Sequence, residues 1–159
     1  MRLKDVVDSN DQLKSCWKQG IHALSKKDKK YIKVRSGACE GSIDIDHCLE
    51  NNCPQDNRWD YGLDMENKGV FVEIHPAHSS EVRVVLDKLQ WLKSYFRNNC
   101  NGFEQLSKSF HWVASGTIAI RRGSRYEKQL AKVGLSKPAR QLDLYNNKAL
   151  KVSKGVVFN

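Results

Sequence analysis

The residue types best suited to chemistry in this chain are two carboxylates and an imidazole that lie close together in sequence. They are Asp60, Glu73 and His75. Mg²⁺ commonly takes one or two carboxylates from a protein, and the bound metal lowers the pKa of a water molecule and polarises a phosphoryl oxygen. His75 could act as general base, orient the attacking water, or bind the metal, which would favour Mn²⁺ or another transition ion. These residues therefore indicate metal-assisted hydrolysis of phosphodiester bonds.

The three residues belong to a segment with the pattern of a β-hairpin. The residues Val70–Val72 favour a strand, and those around Asn67 and Lys68 favour a turn. With the turn centred there, the first acid would lie almost opposite the second acid and the histidine. Opposed strand residues stand about 5 Å apart. The hairpin would then gather the three side chains into one patch.

Each of these residues also has a simpler structural explanation. Asp60 could face solvent or pair with a neighbouring arginine, and His75 could be a satisfied residue at the end of a strand. Glu73 is harder to explain in this way, because a carboxylate in a central strand must be paired, hydrogen-bonded or metal-bound. Asp44 and Asp46 alternate with isoleucines, so we expect them to form the polar face of a strand rather than ligands.

The charge of the chain favours a polyanionic partner. Lys and Arg number 27 against 18 Asp and Glu, for a formal net charge of +9, and such an excess most often indicates nucleic acid. The alternative is a basic protein whose lysines keep it in solution. Arg121, Arg122 and Arg125 follow a predicted strand and open a predicted helix, a suitable loop for phosphate contacts. The lysines of residues 26–30 are expected in a solvated loop or helix end.

The composition predicts a single globular domain over residues 1–159, with 40% hydrophobic and 28% charged residues. No apolar run approaches the roughly 20 residues that span a bilayer, and the N-terminus lacks the apolar core of a signal peptide. We therefore expect a cytoplasmic protein without membrane contacts. The 5 cysteines form no CxxC pair and are expected to be reduced, mostly buried thiols. Cys48 and Cys53, with nearby histidines, fit no standard zinc-ligand spacing.

Periodicity predicts alternating helices and strands. Residues 1–30 begin with helical spacing, and Asp8, Ser9 or Asn10 would cap a second helix. The further predicted elements are strands over 31–34, 42–49, the hairpin, 111–115, 117–120 and 141–144, and helices over 79–98, 103–110 and 124–133. Residues 148–159 have no clear assignment. This order predicts an α/β fold, a three-layer α/β sandwich with a mixed central sheet and helices on both faces.

Over roughly residues 10–120 the chain resembles the PD-(D/E)XK, or restriction-endonuclease-like, nuclease superfamily. That family has a core of helix, three-strand meander, helix and strand, with one acid on the second strand and an acidic-X-Lys motif on the third. Asp60 and Glu73 match the two acids, and His75 stands where the motif has lysine. The family can present a lysine from the following helix, where Lys88 is the candidate. Gln90 resembles a Gln-centred motif that some branches carry there.

The resemblance implies a nuclease that cuts DNA with Mg²⁺ or Mn²⁺, in defence or in repair. Asp60 and Glu73 would bind the metal, His75 would assist the water, and Gln90 would orient the site. The alternative is a catalytically silent nucleic-acid-binding or protein-interaction subunit on the same scaffold, which the missing motif lysine favours. A homodimer or a protein partner is compatible with the small size of the chain. The sequence does not decide between DNA and RNA, although DNA is the expected substrate.

Overall fold

A computed structural model describes residues 1–145. The α-helices are α1 (Leu3–Asp8), α2 (Asp11–Lys14), α3 (Ile45–Leu49), α4 (Val82–Asn99) and α5 (Arg125–Lys132). The strands are β1 (Lys18–Gln19), β2 (Ile32–Lys33), β3 (Cys39–Asp44), β4 (Tyr61–Met65), β5 (Lys68–His78), β6 (Lys108–Ala119) and β7 (Leu142–Asp143). Single turns of 3₁₀ helix lie at Lys29–Tyr31 and Ser79–Glu81. The predicted α/β class with a mixed sheet is confirmed.

The main sheet has five strands in the order β1-β3-β4-β5-β6. Strands β3, β4 and β5 form the predicted antiparallel meander, and β6 runs parallel to β5. The connection from β5 to β6 contains α4, as parallel neighbours require a crossover. Strand β5 is therefore paired on both sides over residues 69–72, and beyond them it pairs with β6 alone. Strands β2 and β7 form a separate parallel pair.

The two faces of the main sheet are covered differently. All five helices pack on one face, where Val85, Leu89 and Phe96 of α4 join Phe71 and Trp112 of the sheet in one core cluster. We call this the helical face. The other face, which we call the loop face, packs against residues 21–34 and the β2–β7 pair. The expectation of helices on both faces is therefore not met within residues 1–145.

The hairpin between β4 and β5 closes with a two-residue turn at Glu66 and Asn67. Both residues have positive φ angles, +47° and +62°, as a type I′ turn requires. This turn matches the right-handed twist of the flanking strands, which is why two residues suffice. The predicted centre lay one residue further along the chain.

The largest difference from the predicted elements is at residues 42–49. Only the first part of this segment is strand, because β3 ends at Asp44 and α3 follows at once. The Oδ1 atom of Asp44 accepts a hydrogen bond of 2.9 Å from the backbone N–H of His47, which caps the helix. The two predicted strands at 111–115 and 117–120 are one strand, β6, and residues 103–107 form no regular helix.

Several predicted boundaries agree with the structure. Asn10 caps α2 through a 3.0 Å hydrogen bond from the backbone N–H of Leu13, and Ser124 caps α5. Gly134, with a φ of +76°, follows α5 as the expected C-terminal glycine. The unassigned segment 148–159 lies outside the described residues. No helix in the described part of the chain is long and apolar enough to cross a membrane.

A disulfide joins Cys16 to Cys48. The prediction of reduced thiols is therefore wrong for these two residues, whereas Cys39, Cys53 and Cys100 are free. The partners lie 32 positions apart and only the fold brings them together, so no local spacing could have revealed them. The bond ties the segment after α2 to α3.

Replacement of Cys16 by serine is expected to lower the free energy of unfolding by about 2–4 kcal/mol, because the unfolded chain gains the freedom of an open loop. Urea denaturation without reductant measures this change. Cys53→Ser is the control and should shift the free energy of unfolding by less than about 1 kcal/mol. Equal stability of Cys16→Ser and the wild-type chain would contradict a role for the crosslink.

Candidate functional site

Glu73 is a fully buried carboxylate on β5, on the helical face. Its Oε1 atom accepts a hydrogen bond of 3.1 Å from the backbone N–H of Asp60. Its Oε2 atom lies 2.6 Å from the Nζ atom of Lys88 and 3.3 Å from the Nδ1 atom of His75. The expectation that a carboxylate here must be partnered is met by one backbone donor and two cationic side chains.

Lys88 reaches Glu73 from α4, so the helix supplies the lysine that the strand lacks. Burial opposes the charge of this side chain, but Glu73 and then Asp60 outweigh burial and raise the pKa of Lys88. The ammonium group therefore stays charged. Its sequence signal was its place one helical turn from Val85 and from Leu92, because a lysine within a buried apolar stripe needs a partner.

His75 is held by carboxylates at both ring nitrogens. Nδ1 faces Glu73, and Nε2 lies 2.7 Å from Oε1 of Glu81 in the 3₁₀ turn before α4. Hydrogen bonding to Glu73, supported by Glu81 and opposed by burial, raises the pKa of His75. The indole N–H of Trp112 donates to the backbone carbonyl of His75 at 3.0 Å. This arrangement favours a charged imidazolium that stabilises the acids, and neither nitrogen is left to accept a proton from water.

Asp60 directly precedes β4, at the point where β5 continues beyond its antiparallel partner. Its Oδ2 atom accepts a hydrogen bond of 2.9 Å from the backbone N–H of Ile74. Burial, with a further contribution from the charge of Glu73, raises the pKa of Asp60 to about 8. The carboxyl group is therefore poised to exchange a proton near neutral pH, or to become ionised when a cation approaches.

The register of the hairpin differs from the predicted one by two residues. Tyr61 pairs with Val72, so Asp60 lies level with Glu73, whereas a turn centred on Asn67 and Lys68 would place it level with His75. Because side chains alternate with a period of two, a shift of two residues keeps every side chain on its predicted face. The predicted meeting of the two acids therefore survives the error in the turn.

A cleft of about 420 Å³ opens beside Asp60. Its lining includes Ile74 of β5 and Ser115 of β6, together with Lys27, Lys30 and Tyr31 from the segment that precedes β2. The sequence predicts a solvated loop for these lysines, and they are indeed exposed. Their position next to the acid depends on tertiary packing, which local composition does not reveal.

Other predicted residues lie outside this cluster. Gln90 is exposed, because two residues along an α-helix turn the side chain by about 200° from that of Lys88. Asp44 caps α3, and Asp46 pairs with Arg58 at 3.0 Å. The prediction that both form the polar face of a strand is therefore wrong, because the chain turns into α3 at Ile45.

The three arginines predicted to contact nucleic acid are exposed. Arg121 and Arg122 lie in the turn between β6 and α5, and Arg125 is the first residue of α5. The guanidinium group of Arg125 lies 5.0 Å from the ring centroid of Tyr126. Because β5 and β6 are parallel, this turn follows the same end of the sheet as His75. Their contact with nucleic acid stays a prediction.

The donor set restricts which metal the site could hold. Within residues 1–145, no three His, Cys, Asp or Glu side chains form a group suited to a metal ion. Two adjacent carboxylates fit Mg²⁺, which binds one or two carboxylates and retains its waters. Burial, and then the charge of Glu73, raises the pKa of Asp60, so a nearby cation would favour its ionised form. Asp60 and Glu73 are therefore the two residues of this cluster that could hold a hard divalent cation.

No protein-family model, curated protein or solved structure matches this chain.

Removal of the Lys88 charge is expected to destabilise the fold, because Glu73 would keep a buried charge with poorer compensation. Lys88→Met should lower the free energy of unfolding by about 3 kcal/mol, and a second change, Glu73→Gln, should restore much of it. Chemical denaturation of the single and double variants measures the coupling. Arg83→Met, which removes an exposed ion pair on the same helix, should cost less than about 1 kcal/mol.

The raised pKa of Asp60 predicts that its contribution to stability falls as pH rises. The folded chain holds a proton up to a pKa of about 8, whereas the unfolded chain releases it near pH 4, so rising pH favours unfolding between these values. The pKa of His75 is also raised in the folded chain. The stability that His75 contributes is therefore lost as the pH rises through the pKa of His75 in the folded chain. Unfolding of wild type and Asp60→Asn at several pH values isolates Asp60.

The wild-type chain should lose stability relative to Asp60→Asn across this interval, with a slope of up to about 1.4 kcal/mol per pH unit. A difference that stays constant from pH 4 to pH 8 would mean that Asp60 is ionised throughout in the folded chain.

Proposed function

We propose that this protein is a divalent-metal-dependent nuclease that hydrolyses phosphodiester bonds of DNA on a restriction-endonuclease-like scaffold. The observation that supports this most is the pair of adjacent acids at the end of the β4–β5 hairpin, with Lys88 bound to the buried one. A lysine beside two acids is the set that the resemblance to PD-(D/E)XK nucleases implies. Here the lysine comes from α4 instead of β5.

Asp60 and Glu73 would hold Mg²⁺ or Mn²⁺. The bound ion would polarise a phosphoryl oxygen and lower the pKa of a water molecule. Asp60 borders the cleft, so its carboxylate is the one that a metal and a phosphate can both reach. Glu73, which is fully buried, would act from beneath it.

Lys88 has two roles in this proposal. Its ammonium group donates to Oε2 of Glu73, and it would offer a fixed positive charge to the negative charge that develops on a phosphoryl oxygen during hydrolysis. His75 is a positioning residue, because its contacts with Glu73 and Glu81 fix the acid and join β5 to the start of α4. We therefore assign the removal of the water proton to neither nitrogen of His75.

One observation favours the alternative of a catalytically silent binding or interaction subunit. Both oxygens of Glu73 are already engaged, one by a backbone N–H and the other by two cations. On this alternative the ionic cluster only stabilises the scaffold, and the basic surface binds nucleic acid without cutting it. Activity measurements separate the two functions.

The test is DNA cleavage by the purified chain with Mg²⁺ or Mn²⁺, on supercoiled plasmid, linear duplex and single-stranded DNA. Glu73→Gln and Asp60→Asn should each slow cleavage by about 100-fold or more, because both acids take part in metal and water activation. Gln90→Ala, an exposed change on α4, should alter the rate by less than about twofold. If the wild-type chain nicks none of these substrates, the nuclease proposal is wrong and the binding alternative remains.

A second measurement tests the metal directly, without relying on activity. Near pH 8, Mn²⁺ should raise the melting temperature of the wild-type chain, because a ligand that binds only the folded state stabilises it. Asp60→Asn should abolish most of that shift while still folding, since asparagine keeps the size of the side chain. An equal shift in both proteins would place the metal elsewhere.

A further inference from the structure

The lysines beside Asp60 lie on a segment that is fixed to the hairpin rather than loosely attached. The hydroxyl of Tyr61, the residue after Asp60, donates to Oδ2 of Asp28 at 2.7 Å and accepts from the backbone N–H of Ser25 at 3.3 Å. The side chain of Gln141 donates to the backbone carbonyl of Lys30 at 3.0 Å. These bonds fix the segment relative to the acid of the site.

The segment presents its lysines in two groups. Lys27 and Lys30 line the cleft that Asp60 borders, whereas Lys26 and Lys29 are exposed and are not part of its lining. Asp28 also lines the cleft, but Tyr61 binds its carboxylate. Two ammonium groups in the same cleft as Asp60 are suited to the phosphates of a bound strand.

The cleft also has an apolar and aromatic part. Tyr31 is partly buried in its wall, with Nζ of Lys30 lying 5.1 Å from the ring centroid. Aromatic side chains beside a positive groove are the usual elements that bind unpaired nucleotides, because a base can stack on the ring while lysines hold the backbone. The volume of about 420 Å³ is large enough for one nucleotide.

We propose that this cleft is a subsite for one unpaired nucleotide of a DNA strand, with Lys27 and Lys30 on its phosphates and Tyr31 against its base. The inference deepens the proposed function, on which it rests, because it names the substrate as single-stranded DNA or a duplex with an unpaired end. Asp60 lies at the boundary between this subsite and the buried acid. The strand would therefore cross the end of the sheet at Asp60.

The experiment measures binding without cleavage. The full chain is titrated against a fluorescent single strand of about 20 nucleotides and its blunt duplex, with EDTA present, at several salt concentrations. Lys27→Met with Lys30→Met should weaken single-strand binding by about tenfold and reduce the salt slope by about 1.4, which corresponds to two phosphate contacts. Lys26→Met with Lys29→Met removes the same charge and is the matched control, expected to stay within about twofold.

The proposed stacking contact has its own variant. Tyr31→Leu should weaken binding of the single strand and leave duplex binding unchanged, since a paired base is not available to the ring. If both double lysine variants lost the same affinity for the single strand, binding would depend on a diffuse basic surface and the subsite proposal would be wrong. Equal affinity of the wild-type chain for single strand and blunt duplex would also overturn the proposal.

The binding titration and the cleavage assay test the two proposals separately. If the lysine variants differ as expected but no DNA is ever cut, the subsite stands as a binding site and the catalytic proposal fails. If DNA is cut and the two lysine pairs behave alike, the catalytic proposal stands and the subsite is wrong.

Discussion

The burial of one carboxylate, that of Glu73, is the constraint on which the rest of the site depends. A negative charge without solvent must be matched by nearby donors, or the group would be protonated or the fold lost. Glu73 is matched from three directions, by the backbone of Asp60, by Lys88 and by His75. The hairpin, α4 and the end of β5 are thus held together by one side chain.

The alternation of side chains along β5 divides the site into two parts. Glu73 faces the helices, where its charge is shielded, and Ile74 faces the cleft on the other side of the sheet. Asp60 connects the two parts. Its carboxylate accepts a hydrogen bond from the backbone N–H of Ile74, and the charge of Glu73 contributes to its raised pKa. One half of the site therefore sets the electrostatics, and the other half is accessible to a ligand.

Local patterns predicted the parts of this arrangement that depend on nearby residues. The hairpin, α4 and the order of the central strands are predictable because their apolar periodicity is strong. The predicted register of the hairpin differs from the observed one by two residues, which leaves every side chain on its predicted face of the sheet. The strand predicted over residues 42–49 is only partly correct. Its alternating pattern continues beyond Asp44, but the side chain of Asp44 caps α3 and ends the strand there. The resemblance suggested two residues of α4 for the site, and of these Lys88 contacts Glu73 whereas Gln90 is exposed. The cleft and the disulfide depend on contacts distant in sequence, and no local pattern encodes them.

The ionic cluster is difficult to explain by stability alone. Buried ion pairs carry a desolvation penalty that often equals or exceeds their attraction, so apolar residues of similar size would hold the end of β5 to α4 at no greater cost. The cluster also leaves Asp60 with a raised pKa, which makes the fold less stable as pH rises. Local features that oppose stability are expected at functional sites, where chemistry needs a charge that packing alone would exclude. Tyr61 also holds a basic segment beside Asp60, which in the proposed function would bind the phosphates of the substrate. The desolvation cost of the cluster and its position beside the cleft are therefore the two features on which the proposed function rests.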